Sequence, residues 1–177
     1  MSVSKSRIEL PEGVNAFDYV VTQIGSPTLQ QRLKDSWKAQ MLNDSTLTPR
    51  EREAARIRSA YNIGCTNCVE LRMAHDLPGF SDEPIDEGIY ENVFAYSTWP
   101  GYTTRERLII EFVERHAEDY RALAEDDEFW TRLKDNFTDV ELADLCLLCG
   151  TWDSATKMYH LLVGVDAACQ VPVQRTA

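Results

Sequence analysis

Three helix starts written in the same way restrict the fold more than any other feature of the sequence. Thr48, Thr103 and Thr138 are each followed three residues later by a glutamate, in the segments TPRE, TTRE and TDVE. A capping threonine and a glutamate that reaches back to its backbone form a capping box, which is typical of helix N-termini. Pro49 occupies the first helical position of TPRE, where its missing N–H is not needed. Ser81, in GFSDEPI, is expected to cap a fourth helix.

Apolar residues follow these starts at helical spacing. One predicted face consists of Leu108, Ile109, Phe112, Val113 and His116, and another of Leu142, Leu145, Cys146, Cys149 and Trp152. The alternation of apolar and polar residues that marks strands is almost absent. The sequence therefore predicts an all-α protein.

The length of the chain indicates one folded domain. Its 177 residues are enough to bury most of the apolar surface in a single core. The helical pattern covers residues 28–165, which we predict to be the helical core domain. We expect residues 1–27 to form an extended N-terminal arm packed on this core or on a partner subunit, and residues 166–177 to be a C-terminal tail.

The charge balance restricts the possible partners. The chain has 18 Lys and Arg against 29 Asp and Glu, a formal net charge of −11. An acidic protein lacks the basic face that nucleic acid and anionic membranes require. The sequence also has no apolar run of signal-peptide or membrane-spanning length. We therefore expect a cytoplasmic protein that binds neither nucleic acid nor membrane.

Five cysteines, at positions 65, 68, 146, 149 and 169, need an explanation other than a disulfide framework, which a cytoplasmic chain seldom has. Cys65 and Cys68 form a Cys-x-x-Cys pair in NIGCTNCVELRMAHDL. Gly64 is expected to end the helix that starts at Thr48, so that Cys65 opens the next helix. Unpaired backbone N–H groups and the helix dipole favour a thiolate there. This spacing suits a redox dithiol, half of a metal site or a structural pair.

The second pair, Cys146 and Cys149, lies in the apolar helical stretch ELADLCLLCGTW. Four thiolates from two such pairs could hold zinc, but zinc-binding pairs usually sit on turns with glycine and polar neighbours. Free cysteine is among the most buried residue types. We therefore expect both thiols to pack in the core, and we predict neither a metal site nor a cofactor.

Charged residues near the first pair are candidates for proton transfer. Glu53 lies twelve residues before Cys65, Arg72 four residues after Cys68, and His75 three residues beyond Arg72. An acid–base group beside a thiol is what peroxide or disulfide chemistry requires. On spacing alone, Glu53 is one of several solvated acids in REREAAR.

The segment LTPREREAARIRSAYNIGCTNCVELR resembles the core of the alkylhydroperoxidase D-like, or carboxymuconolactone decarboxylase, family, and the resemblance extends over about residues 28–165. Redox members of that family carry a Glu, eleven residues, Cys-x-x-Cys, three residues and a His. Glu53, Cys65 and Cys68 match this pattern. The resemblance implies a helical bundle of that type, assembled into trimers, hexamers or similar homo-oligomers. It also implies that Cys68 attacks a peroxide, that Cys65 resolves the product, and that a thiol donor supplies electrons.

This chain departs from the family pattern at Arg72, which stands where the family histidine is expected. Arginine keeps its proton near neutral pH and cannot act as a base. It can still stabilise a Cys68 thiolate by its charge and pair with Glu53. His75 lies about 300° and about 4.5 Å further along a helix. That displacement is large enough for His75 to miss a hydrogen bond to the sulfur.

Three functional hypotheses follow. We favour thiol-dependent reduction of a peroxide or disulfide through Cys65 and Cys68. In that hypothesis Glu53 is the nearest acid–base group, and Arg72 supplies the charge beside the thiolate. The second hypothesis is a lyase or decarboxylase that holds a small carboxylated substrate in a bidentate grip by Arg72. The third is a homo-oligomeric relative without catalytic activity.

Overall fold

The computed structural model describes residues 6–14, 16–42 and 44–164, and this part of the chain contains helices and no β-strand. The helices are α1 (Ala16–Thr22), α2 (Pro27–Leu42), α3 (Pro49–Ile63), α4 (Thr66–Glu70), α5 (Met73–Asp76), α6 (Gly88–Glu91), α7 (Thr104–Ala124), α8 (Asp127–Lys134) and α9 (Asp139–Val163), with a short 3-10 helix at Val93–Ala95. The prediction of an all-α fold is confirmed.

The three predicted capping boxes are all present. The side chain of each capping threonine accepts a hydrogen bond from the N–H of its glutamate, and the glutamate side chain accepts one from the N–H of the threonine. These boxes begin α3, α7 and α9, the three helices that share the largest apolar cluster with α8. Local hydrogen bonds readable in the sequence thus fix where those helices start.

Arginines in the first turns connect these helix starts to one another. Arg50, at the start of α3, pairs with Glu106 of α7 (Nε–Oε1, 2.5 Å). In return Arg105, at the start of α7, pairs with Glu51 of α3 and Glu141 of α9, both at 2.6 Å. Each capping glutamate therefore accepts a backbone N–H at the start of its own helix and also pairs with an arginine of a neighbouring helix.

Ser81 does not begin a helix, and that prediction was wrong. Its hydroxyl donates to the carbonyl of Glu83 at 2.7 Å and accepts from the Glu83 N–H at 3.2 Å. A serine that bonds two residues ahead closes a local turn instead of capping a helix. The next helix, α6, begins seven residues later at Gly88.

Helix α3 is the centre of the fold. Ten consecutive residues, Glu51–Ala60, are buried on it. One apolar cluster joins α3 to α7, α8 and α9 and includes Ala55, Leu108, Phe112, Phe129 and Leu145. A second cluster joins α3 to α6 and α7 and includes Ile57, Ile89, Tyr90 and Ile110. Because α3 is covered on all sides, even its charged residues lie in the interior.

The N-terminal segment packs on the end of α9. The N–H groups of Arg7 and Ile8 donate to the carbonyl of Leu162 at 2.8 and 3.0 Å, and Val20 of α1 is buried against Val163. Residues 16–22 form a helix inside the segment expected to be an extended arm. The predicted tail, 166–177, lies outside the described residues. Of the helices described, none is both long and apolar enough to cross a membrane.

Candidate functional site

The end of α3 places the first cysteine pair. Gly64 adopts a left-handed conformation (φ 75°, ψ 32°), which glycine tolerates and which commonly ends helices. Its N–H and that of Cys65 both donate to the carbonyl of Ala60, at 3.0 Å each. Cys65 then caps α4, and its Sγ accepts from the N–H of Cys68 at 3.3 Å. The predicted break at Gly64 and restart at Cys65 are confirmed.

The two sulfurs of this pair are bonded to each other, with 5.2 Å between the Cα atoms of Cys65 and Cys68. Cys65 has extended backbone angles (φ −89°, ψ 99°), so it stands outside the regular turn of α4. It is also buried, with 4 % of its surface exposed, whereas Cys68 is half-buried. A molecule approaching from solvent therefore meets Cys68 more readily than Cys65.

Glu53 is completely buried on α3, so its interpretation as a solvated acid was wrong. Three donors converge on its carboxylate. Arg56 Nε donates to Oε2 at 2.5 Å, while the Met73 N–H and the Tyr90 hydroxyl donate to Oε1 at 2.5 and 3.0 Å. The carboxylate thus joins α3 to the start of α5 and to α6.

Arg56 connects Glu53 to the cysteine helix. Its side chain is fully buried and forms an ion pair with Glu53 one turn earlier on α3. One terminal guanidinium nitrogen donates to the carbonyl of Cys68, and the other donates to the carbonyl of Leu71 at 2.8 Å. Carbonyls at a helix end lack partners within the helix. Arg56 therefore satisfies the carbonyl of Cys68, while Arg72 Nη1 donates to the carbonyls of Val69 and Glu70 at 2.9 and 3.0 Å.

Arg72 does not take the place expected for it. Helix α4 ends at Glu70, and Arg72 Nε pairs with Glu87 Oε2 at 2.9 Å. Its guanidinium also lies over the ring of Tyr90, 4.0 Å from the centroid. Within the described chain, the guanidinium that meets Glu53 is that of Arg56, so the expected pairing of Glu53 with Arg72 is corrected.

Tyr90 links the buried carboxylate to the arginine above it, because its hydroxyl donates to Glu53 while its ring lies under Arg72. Burial, reinforced by the charge and hydrogen bond of Glu53, raises the pKa of Tyr90 far above its ordinary value. The phenol therefore keeps its proton and acts as a donor to Glu53 across the physiological range.

His75 lies on α5 and not on the cysteine helix. Its Nδ1 is 2.7 Å from Asp76 Oδ1, and 56 % of its side chain is exposed. The other oxygen of Asp76 accepts the N–H of Arg72 at 2.7 Å. Since α4 ends before Arg72, counting helical turns from Cys68 does not describe the position of His75.

The second cysteine pair is free and divided between core and surface. Cys149 packs in the core with Leu145 and Leu148, as predicted, whereas Cys146 is exposed, and the prediction that it is buried was wrong. Partial burial raises the pKa of the Cys146 thiol, and full burial raises that of Cys149 further. In the described part of the chain, no three His, Cys, Asp or Glu residues are grouped so as to hold a metal ion. Cys169 lies outside the described residues.

Arg56 and Tyr90 were not among the residues predicted from the sequence to form the site. Arg56 stands three residues after Glu53, a spacing at which side chains on a helix meet, and that was the one signal available for it. Tyr90 reaches Glu53 through folding alone, since 37 residues separate the two.

Comparison with known proteins found no family profile, no curated protein and no solved structure that matches the chain.

Proposed function

We propose that this protein is a thiol–disulfide redox protein that reduces a peroxide, or a related disulfide substrate, through Cys65 and Cys68. One observation carries the proposal: the two sulfurs are within bonding distance at the start of α4, with Cys68 the more exposed residue. The resemblance to the alkylhydroperoxidase D-like family supports the same assignment of roles. A bundle of that family's type, and its assembly into trimers, hexamers or similar homo-oligomers, belong to the proposal.

The reaction proceeds in three steps. The Cys68 thiolate attacks the terminal oxygen of the peroxide, the O–O bond breaks, and Cys68 becomes a sulfenic acid while the released alkoxide takes a proton from water and leaves as an alcohol. The Cys65 thiol then attacks the sulfenic sulfur, which forms the disulfide and releases water. An external dithiol finally supplies two electrons and two protons, and restores both thiols as it is itself oxidised.

The roles of the charged residues differ from those expected from sequence. Glu53 and Arg56 form a buried ion pair whose arginine is bonded to the backbone of Cys68. In this proposal the ion pair fixes the position of Cys68 by holding its backbone carbonyl. Arg72, bound to Glu87 at the surface, adds positive charge near α4.

No contact favours the lyase hypothesis. Bidentate capture of a substrate carboxylate needs a guanidinium edge directed at the substrate. The Nε edge of Arg72 is bonded to Glu87, and its Nη1 donates to the carbonyls of Val69 and Glu70. The third hypothesis, a relative without activity, is decided by the experiment below.

The test is to count free thiols in the reduced protein before and after a stoichiometric addition of peroxide. We expect wild type to lose two thiols for each peroxide consumed, and peptide mapping to show a bond between Cys65 and Cys68. In Cys68→Ser the loss should disappear. In Cys65→Ser a sulfenic acid should accumulate on Cys68, because no resolving thiol is present, and a dimedone-type probe detects it.

Cys146→Ser serves as the matched control, since it removes a free thiol from a different Cys-x-x-Cys pair. Its peroxide consumption should equal that of wild type. If Cys65 and Cys68 stay reduced while Cys146 reacts, the redox proposal is wrong. An unreactive dithiol of normal structure would favour the relative without activity.

A further inference from the structure

We infer that Arg56 is a positioning residue that sets how readily the Cys65–Cys68 pair closes to a disulfide. The inference rests on the redox pair of the proposed function and adds a determinant that lies on α3, outside the Cys-x-x-Cys motif. Arg56 touches neither sulfur and acts through the backbone of Cys68.

Helix α3 holds each cysteine by a separate contact. Cys65 is held from its N-terminal side, where its N–H donates to the carbonyl of Ala60 in the last turn of α3. Cys68 is held from its carbonyl side by Arg56, which extends from the middle of α3. Both cysteines are therefore held in position by the same buried helix.

The short length of α4 makes the second contact important. The helix has five residues and buries none of them completely. A helix of that length is not stable by itself in water, because nucleation costs more than one turn of hydrogen bonds returns. Of the two carbonyls bound by Arg56, that of Cys68 belongs to the last turn of α4, and that of Leu71 follows the helix directly. Arg72 donates to the carbonyls of Val69, Glu70 and Leu71, whereas the carbonyl of Cys68 is bound by Arg56. Arg56 thus stabilises the turn that carries Cys68.

The contact matters most in the reduced protein. In the oxidised protein the disulfide itself holds Cys68 near Cys65. After reduction the covalent constraint is gone, and Arg56 continues to hold Cys68 in the place that closure requires. Without Arg56 the reduced α4 gains conformational freedom that the oxidised form lacks, so closure becomes less favourable.

Burial explains why arginine is suited to this position. A charge inside the protein requires a partner, and Glu53 provides it. The planar guanidinium then presents further N–H groups in a fixed fork, which reach two carbonyls at once. A lysine can keep the ion pair with Glu53, but its single ammonium does not reproduce the fork.

The test measures the equilibrium between the Cys65–Cys68 disulfide and a dithiothreitol redox buffer, read by alkylation and mass spectrometry. We expect Arg56→Lys and Arg56→Met to lower the closure constant at least about tenfold, which for two electrons is about 30 mV. The rate of Cys68 alkylation in the fully reduced protein should not fall.

Two further variants separate positioning from general stability. Arg58→Met removes another buried arginine from α3, one that binds Glu114 of α7, and should leave the closure constant unchanged. The double variant Glu53→Gln/Arg56→Met removes both members of the ion pair, so that no unpaired charge remains in the core. It should fold and show the same tenfold shift as Arg56→Met.

The outcomes distinguish this inference from the proposed function. Equal closure constants in wild type, Arg56→Lys and the double variant would overturn the inference even if peroxide is reduced. A shift of the same size in Arg58→Met would also overturn it, since loss of any buried arginine would then be sufficient. If wild type does not react with peroxide but the Arg56 variants still lower the closure constant, the proposed function alone is refuted.

Discussion

The chain contains Cys-x-x-Cys twice, and the two pairs differ in their position along a helix and in the groups that surround them. Cys65 caps α4 with extended backbone angles, and its sulfur reaches that of Cys68. Cys146 and Cys149 lie inside the 25-residue helix α9 as free thiols, one exposed and one in the core. The first pair is linked to a buried ion pair through the carbonyl of Cys68, and Cys149 of the second pair belongs to an apolar cluster.

The difference shows that the spacing of two cysteines does not determine their chemistry. A helix start offers unpaired N–H groups, which favour a thiolate. It also offers a residue free to leave the helical path, so that its sulfur can reach that of a cysteine three residues later. In the middle of a helix the backbone N–H groups are already used, and burial is the largest influence on the pKa of the thiol. The helix boundary, readable in the sequence at Gly64, is therefore more informative than the motif.

The largest effect should come from breaking the ion pair under the first cysteine pair. Glu53→Gln leaves the charge of Arg56 buried without a counterion, which costs about 3–5 kcal/mol of unfolding free energy. Glu87→Gln is the control, because Glu87 forms a surface pair with Arg72 and is 61 % exposed. It should cost less than about 1 kcal/mol. Urea unfolding measures both, and equal losses would show that Glu53 is not a buried partner.

A smaller difference should appear within the second pair. Cys149→Ser places a hydroxyl in the apolar cluster and should lower the unfolding free energy by about 1–3 kcal/mol. Cys146→Ser, three residues away on the same helix, lies at the surface and should change it by less than about 0.5 kcal/mol. Chemical denaturation of the two variants under reducing conditions makes the comparison. A greater loss of unfolding free energy in Cys146→Ser than in Cys149→Ser would show that Cys146, not Cys149, faces the core.

The smallest effect concerns pH. Although Cys146 is exposed, partial burial of its thiol raises the pKa, so less of it is thiolate at a given pH than in a free thiol, and below the pKa each pH unit lowers that fraction about tenfold. Its alkylation rate in Cys65→Ser/Cys68→Ser should therefore keep rising beyond pH 9. Alkylation of Cys68 in reduced Cys65→Ser/Cys146→Ser should level off at lower pH, since a helix start favours the thiolate. Identical pH profiles would contradict the contrast between the pairs.

Local signals in the sequence were sufficient to predict the helix starts. The capping boxes at Thr48, Thr103 and Thr138 and the break at Gly64 depend on neighbouring residues, and all four are confirmed. The serine at 81 carried the same kind of signal but bonds within a turn. Capping is thus predictable where a glutamate completes the box, and less so from a lone hydroxyl.

The surroundings of the site depended on which helix is central, and periodicity did not show that. Glu53 and Arg56 belong to a segment with charges on every side, which is typical of a solvated helix, yet α3 is covered by α6, α7 and α9. On α9 the apolar residues likewise surround the helix, so the pattern included Cys146 in the core and omitted Leu148. Both errors arise because burial is decided by neighbours distant in sequence.

The ion pairs that Arg50 and Arg105 form between the starts of α3, α7 and α9 have a consequence for how the protein unfolds. The first turn of a helix normally frays more easily than its middle. Here Arg50 of α3 binds the capping glutamate of α7, and Arg105 of α7 binds those of α3 and α9. Fraying of one helix would remove an ion pair from the capping glutamate of its neighbour, so opening of the three ends is coupled. That cooperativity keeps α3, on which the cysteine pair is mounted, in one register.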